Sequence, residues 1–148
     1  MRALLQRVSK ARVVVDGEVV GSCGPGLVIL LGVGVADDRA AAERLWRKVF
    51  GLRIFSDAAG KTNLSLRDVA GEVLVVSQFT LFADCRRGMR PSFTDAARPP
   101  QAEELYEYFL TLASRDVDHV AHGIFGAMMD VELLNSGPFT IVLDTDSL

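Results

Sequence analysis

Asn135-Ser136-Gly137-Pro138-Phe139-Thr140 separates two apolar runs that read as strands, Met128 to Leu134 and Phe139 to Leu143. A Gly-Pro pair between strands is a turn signal. Read so, it divides the C-terminal region into two short strands of a β-rich fold. The pair also has a chemical side. Glycine leaves the backbone uncovered, proline removes a donor and fixes φ, and an X-Pro bond takes the cis form at small cost. Such a pair presents bare carbonyls with no side chain in the way, and the rest of the chain decides whether anything uses them.

The N-terminal end shows the same strand-turn-strand pattern. Arg2 to Val15 reads as one long strand rich in β-branched residues, followed by Asp16-Gly17, a strong short hairpin signal. Glu18 to Cys23 is the expected return strand. After Gly24-Pro25-Gly26, the run Leu27 to Val35 is apolar on both faces and reads as a buried central strand. Leu52 to Phe55 is expected as a short strand, and Glu72 to Leu81 as a second long one whose aliphatic start gives way to Ser77-Gln78-Phe79-Thr80. That change suggests a strand leaving the core and delivering polar groups to a rim. His119 to Phe125 and Met128 to Leu134, separated by Gly126, complete a count of roughly six to eight strands.

Two helices are expected between them. Asp37 or Asp38 is placed to cap the first, and Ala42, Leu45, Trp46, Val49 and Phe50 form a core-facing stripe ending near Gly51. Trp46 is therefore a core residue, not a stacking platform, and Glu43 is spaced to pair with Arg47. Pro99-Pro100 opens the second helix, with Ala102, Leu105, Tyr106, Phe109, Leu112 and Ala113 on its buried face. The helices do not follow strict β-α-β alternation. The reading is an α/β chain of α+β type, one domain over residues 1–148, with a mixed, mainly antiparallel, barrel-like sheet covered by two amphipathic helices.

At 148 residues, with 24% charged and 49% hydrophobic side chains, the chain is long enough for a real core and has a globular composition. Its longest apolar run is broken by Gly32 and Gly34 and cannot span a bilayer. Met1 to Arg7 lacks the apolar core of an export signal, so a cytoplasmic protein with no membrane partner is expected. Cys23 and Cys85 are too few for a disulfide framework or a zinc cage and are expected reduced. A net charge of -3 supplies no global field for nucleic acid. The local exception is Arg86, Arg87, Arg90 and Arg98, in an Ala83-to-Arg98 loop that is long for a structureless connection and that Phe93 would help to pin. Ordinary solvated arginines are the competing reading.

Conventional catalytic patterns are missing. The chain carries no P-loop, no Rossmann fingerprint, no HExxH, no cysteine pair with metal spacing and no Gly-x-Ser-x-Gly elbow. His119 and His122, three apart on an expected strand, fall on opposite faces and are poor partners for one metal. Thr80 has no evident base to activate it. What remains is Ser77-Gln78-Phe79-Thr80 and the Gly-Pro stretch, each weak alone; Ser77 and Thr80 serve equally well as caps of strand-end backbone groups.

Together these two stretches resemble the D-aminoacyl-tRNA deacylases, also called D-tyrosyl-tRNA deacylases. The likeness continues through Gln6-Arg7-Val8, Asp16-Gly17, Leu52-Arg53-Ile54-Phe55, Arg90-Pro91-Ser92-Phe93-Thr94-Asp95-Ala96-Ala97 and Phe125-Gly126-Ala127, in order and nearly end to end. The resemblance implies a homodimer that hydrolyses the ester joining a D-amino acid, or glycine, to the 3′ adenosine of tRNA, with no metal or organic cofactor. It implies a cis Gly137-Pro138 bond on a loop that reaches the other subunit's active site. There the Gly137 and Pro138 carbonyls would grip the substrate amino group and fill the space an L side chain needs.

Ser77, Gln78, Phe79 and Thr80 are the expected catalytic segment, with an amide at Phe79 or Thr80 for the oxyanion. The tRNA 2′-hydroxyl is favoured as the group that activates water, and Thr80 as nucleophile or water-orienting hydroxyl is the alternative. Arg7, Asn135 and Thr140 are expected in support, and Arg86, Arg87, Arg90 and Arg98 as phosphate contacts. The chain departs from the family pattern at Ser136, where an acidic residue is common, at Ile124 (Arg common), at Met128 (Asp common) and at Phe139 (valine more usual). An apolar contact between Ile124 and Met128 in place of an ion pair is the expectation. Two other readings compete with the deacylase: a non-catalytic homodimeric module that binds amino acids or aminoacyl ends, and a structural dimer in which Ser77 to Leu81 is simply a strand.

Overall fold

Strand β1 (Arg2–Val15) is the axis of the computed structural model, which describes residues 1–148. Asp16 and Gly17 both have positive φ, 51° and 83°, the left-handed pair that a tight hairpin needs. β2 (Glu18–Cys23) returns antiparallel, and β3 (Gly26–Gly32) continues beyond Pro25 along the same edge of β1, from Ala11 opposite Cys23 to Arg2 opposite Gly32. The first 32 residues are thus one long hairpin.

β3 ends at Gly32, three residues before the expected Val35, because the chain there leaves the sheet toward a helix. Asp38 caps that helix, α1 (Arg39–Gly51), by accepting from the Ala41 amide at 2.8 Å. Asp37, the other capping candidate, instead accepts from the Gly34 amide at 2.6 Å and pairs with the Met1 ammonium. After α1 the chain forms a small antiparallel pair, β4 (Phe55–Ser56) with β5 (Thr62–Leu64), displaced from the expected Leu52-to-Phe55 strand. β6 (Glu72–Ser77) then runs parallel to β3. α2 (Pro99–Asp116) leads to β7 (Val120–His122), parallel to β6 and shorter than the expected His119-to-Phe125 strand.

Parallel neighbours require a long crossover, and α1 and α2 supply the two crossovers here. The helix-bearing half is therefore β-α-β after all, while every pairing of β1 is antiparallel. The main sheet has order β2-β1-β3-β6-β7, and its ends approach each other. A Cβ on Gly21 of β2 would lie 2.4 Å from the His122 carbonyl oxygen of β7. His119 Nε2 donates to Ser22 O at 2.9 Å across the same seam. The mixed, mainly antiparallel, nearly barrel-shaped sheet with two helices is the expected class.

Alternation along β3 and β6 serves two cores, which explains their unbroken apolar runs. Leu27, Ile29, Leu31, Val73 and Val75 face the helices; Val28, Leu74 and Val76 face the barrel interior with Val8, Val13 and Cys23. Burial and the nearby Glu72 charge push the Cys23 thiol up to about 11, so it remains an inert packed group. On the helix side Trp46 is 4% exposed, stacks on Phe50, meets the edge of Phe109 and donates to Asp116 at 2.8 Å. The expected Glu43–Arg47 pair does not form, because Glu43 accepts from the Tyr108 hydroxyl at 2.6 Å.

β8 (Asp130–Asp144) replaces the two strands expected on either side of the Gly-Pro turn. Both halves run in the same direction along the free edge of β1, with Val8 opposite Asn135 and Gln6 opposite Thr140. The Gly-Pro stretch is therefore a loop extruded from one strand and not a hairpin turn. Ile124 and Met128, 47% and 92% exposed, belong to neither core, so no packed apolar contact replaces an ion pair there.

The β3–β6 junction is testable through its glycine. A Cβ on Gly26 would lie 1.9 Å from the Glu72 carbonyl oxygen, whereas one on Gly51 meets nothing within 4 Å. Gly26→Ala is expected to destabilise the fold by about 3 kcal/mol through forced strand separation. Gly51→Ala is expected to be neutral or to stabilise by up to about 1 kcal/mol. Urea midpoints of the two variants check both.

Candidate active site

The chain reaches the rim where β6 stops. Ser77 pairs with Leu31, the Gln78 amide donates to Leu31 O at 2.7 Å, and the backbone then winds into a 3-10 turn over Phe79–Phe82. The strand expected to continue to Leu81 ends here for a steric reason. Gly32 and Gly34 leave a bare backbone on which the Phe82 ring sits; a Cβ on Gly34 would be 2.8 Å from that ring. Arg2 closes over the other side, its guanidinium 4.4 Å from the Phe82 centroid and donating to Leu81 O at 3.0 Å.

The first bond of the turn runs from the Leu81 amide to Gln78 O, so the amides of Phe79 and Thr80 have no partner within it. Phe79 and Thr80 are exposed, and Ser77 and Gln78 half-buried. Gln78 Nε2 donates to Thr80 Oγ1, which leaves the hydroxyl proton of Thr80 free to be given elsewhere. No histidine, carboxylate or lysine hydrogen-bonds to Thr80. His119 and His122 are occupied with backbone carbonyls of Ser22 and Gly123.

The arginine loop lies beside this turn. Phe93 meets the edge of Phe79 with centroids 5.1 Å apart, which pins the loop as expected. The loop is not structureless. Asp84 and Ser92 exchange backbone bonds of 2.7 and 2.9 Å, and the Ala97 amide donates to Val33 O at 2.9 Å. Arg86, though exposed, is paired with Asp84 through two contacts of 2.8 Å, and these bonds hold the Asp84 carboxyl well below the usual carboxylate range. Arg87, Arg90 and Arg98 are exposed and make no ion pair.

The Gly-Pro loop is held from below. Arg7 Nε donates to Ser136 O at 3.0 Å, and Asn135 Nδ2 donates to both Arg7 O (3.0 Å) and Phe139 O (2.9 Å). Gln6 Nε2 donates to Thr140 Oγ1 at 3.3 Å. Gly137 has φ +121°, its peptide bond to Pro138 is cis, and a Cβ there would lie 2.4 Å from Arg7 Nη2. Of the loop's carbonyls, the outer two, on Ser136 and Phe139, are held by side chains. The inner two belong to the exposed residues Gly137 and Pro138.

No hydrogen bond, ion pair or aromatic contact joins this loop to Ser77–Thr80 within one chain. Ser77 aligns with Leu31 and so with Ala3 of β1, whereas the loop leaves the sheet opposite Gln6 to Val8. Four residues along β1 are roughly 13 Å. Sequence reading named Arg7, Asn135 and Thr140 beside the loop, and Phe93 as a pin, but missed two contacts: Phe139 under the Arg7 guanidinium and the Ile54 carbonyl that Arg7 also reaches. An aromatic residue next to Gly-Pro was the one available signal.

Comparison with known proteins gives a consistent result. The family described as D-Tyr-tRNA(Tyr) deacylase matches residues 4–144. A Dehalococcoides mccartyi protein named D-aminoacyl-tRNA deacylase is 56% identical over 145 residues, covering 98% of this chain and 95% of that one. A solved structure titled c-Myc DNA Unwinding Element Binding Protein superposes with TM-score 0.93 at 39% identity, covering 97% and 98% of the two chains. Another, titled as a probable eukaryotic D-amino acid tRNA deacylase, has TM-score 0.84 at 17% identity, covering 96% and 97%, and supports the fold. With near-complete coverage at this identity, and with both stretches intact, the chain belongs to the D-Tyr-tRNA(Tyr) deacylase family.

Proposed function

We infer that this protein hydrolyses the ester between a D-amino acid, or glycine, and the 3′ adenosine of tRNA, and that it refuses the L-aminoacyl ester. The observation that carries the reading beyond family membership is the state of the Gly-Pro carbonyls. Their neighbours on Ser136 and Phe139 are fixed by Arg7 and Asn135, while Gly137 and Pro138 stand exposed and without bulky side chains. Two fixed carbonyls suit an ammonium group, and the backbone beside them occupies the space of an L side chain. A D side chain points outward, where few contacts read it, so tolerance of side-chain identity follows. Glycine has no side chain by which to be refused.

An aminoacyl ester is already activated, so a modest lowering of its barrier suffices. The Phe79 and Thr80 amides open a turn with no acceptor inside it and suit a developing oxyanion. No protein base touches Thr80, so the 2′-hydroxyl of the terminal adenosine activates water, with Thr80 in an orienting role. The homodimer is part of this reading. The loop and the turn sit apart within one chain, and Phe79, Leu134 and Val142 are 57%, 56% and 64% exposed, apolar surface that a second copy would cover. Loop and turn then meet across the interface. Arg87, Arg90 and Arg98 are the phosphate contacts of choice, Arg86 being engaged by Asp84.

A binding role without turnover is the second reading, favoured by the similar structure titled a DNA unwinding element binding protein. The test incubates the protein with D-tyrosyl-tRNA and L-tyrosyl-tRNA. Release of the D-amino acid alone is expected, and binding without release would establish the second reading.

Two variants probe the mechanism. Thr80→Ala is expected to lower kcat by no more than about tenfold, since loss of a true nucleophile costs on the order of 10⁶. An acyl-threonine adduct in mass spectra would overturn the RNA-assisted route, as would normal turnover of a substrate ending in 2′-deoxyadenosine. Gly137→Ala introduces a Cβ at an unfavourable φ and against Arg7, so the loop must move. The D-over-L ratio of kcat/KM is expected to fall at least about tenfold, the equivalent of ~1.4 kcal/mol.

A further inference from the structure

We propose that Phe139 is a positioning residue for the Gly-Pro loop, acting through Arg7, and that it sets how strictly the loop refuses an L-residue. The proposal rests on the reading of Gly137 and Pro138 as the chirality filter. Arg7 makes no salt bridge and is half-buried, so carbonyls and a ring provide the contacts of its charge. Its guanidinium donates to Ser136 O from Nε and to Ile54 O from Nη1, two acceptors on different segments of the chain. Because guanidinium N–H groups lie in its plane, two such bonds leave the plane free to tilt about the line that joins their acceptors.

The Phe139 ring supplies the missing restraint, with its centroid 4.5 Å from Arg7 Cζ. The ring is itself anchored. Its edge packs against the main core, and its backbone carbonyl is held by Asn135. A Cβ on Gly137 would lie 2.4 Å from Arg7 Nη2 and 3.2 Å from Phe139 Cδ2, so the glycine rests in the corner that these two side chains form. Phe139 thus fixes the guanidinium, the guanidinium fixes the Ser136 carbonyl, and the rigid peptide planes that follow inherit their direction. An aliphatic side chain can fill the volume, but it offers neither a flat face nor a quadrupole to the cation.

The experiment compares Phe139→Leu and Phe139→Tyr with the unmodified protein and with Gly137→Ala. It measures kcat and KM on D- and L-tyrosyl-tRNA, and hydrogen exchange at the Ser136, Gly137 and Phe139 amides. Phe139→Leu is expected to lower the D-over-L ratio about fivefold, as loss of a cation–π contact worth ~1 kcal/mol implies. It is also expected to speed exchange in this loop and leave exchange in α1 and α2 unchanged. Phe139→Tyr keeps the ring and is expected within about twofold of the unmodified ratio. Two results overturn the proposal alone: a Leu variant with unchanged ratio and exchange while Gly137→Ala loses selectivity, or a Tyr variant that loses as much as Leu. If neither Gly137→Ala nor Phe139→Leu changes the ratio, the filter reading fails and the proposal with it.

Discussion

β1 hydrogen-bonds along both of its edges, and the rest of the molecule is arranged by that constraint. One edge carries β2 and β3 in one register from Arg2 to Val13, with a one-residue shift at Val14; the other carries β8. A strand paired on both sides has no backbone donors to spare, so an insertion in either neighbour must be pushed out of the sheet. Asn135 to Thr140 spans more residues than Gln6 to Val8 opposite, and the surplus leaves as the Gly-Pro loop. The loop is thus mounted on a fixed ladder at both ends, which is what a site selecting with carbonyls needs. Side chains of β1 and β8 finish the mounting, Arg7 and Asn135 reaching across to each other's strands.

How much of this was legible in the sequence depended on whether the signal was local. β1, the Asp16-Gly17 turn and both helical stripes rest on periodicity and turn chemistry within a few residues, and they were readable. The Gly-Pro stretch was misread because a turn and an extruded loop contain the same residues. Only the partner distinguishes them, and β1 lies more than a hundred residues away in the chain. Glu72 to Leu81 was overextended for a similar reason. Nothing in Ser77-Gln78-Phe79-Thr80 itself stops the strand; Gly32 and Gly34, on another segment, make the place for Phe82 that turns it. Glu43 took Tyr108 over Arg47 because α2 brought a better partner than the next turn of its own helix.

The two halves of the proposed site differ in what they offer. The Gly-Pro half gives acceptors and shape, and the turn at Phe79 gives donors. Neither carries a titrating base, and the two buried groups that desolvation pushes up lie elsewhere, Cys23 within the barrel and Tyr106, whose buried hydroxyl donates to Val75 O. Catalysis by position and backbone polarity is consistent with that distribution, since an amide or a carbonyl costs no protonation step and keeps its dipole at any working pH.

The arginine loop shows why counting charges misjudges a nucleic-acid surface. Four arginines read from the sequence as one basic patch, yet Arg86 is committed to Asp84 within the loop. That pair is exposed and contributes little to stability, but it shapes the loop and neutralises one cation of the patch. The remaining three, Arg87, Arg90 and Arg98, lie along a segment tied to the Phe79 turn by Phe93 and to Val33, just past β3, by the Ala97 amide. A phosphate held there would be placed relative to the turn by packed structure and not by tether length. An enzyme acting on the end of a long RNA needs that arrangement, because a backbone contact can orient the reacting end only if it is rigidly connected to the site.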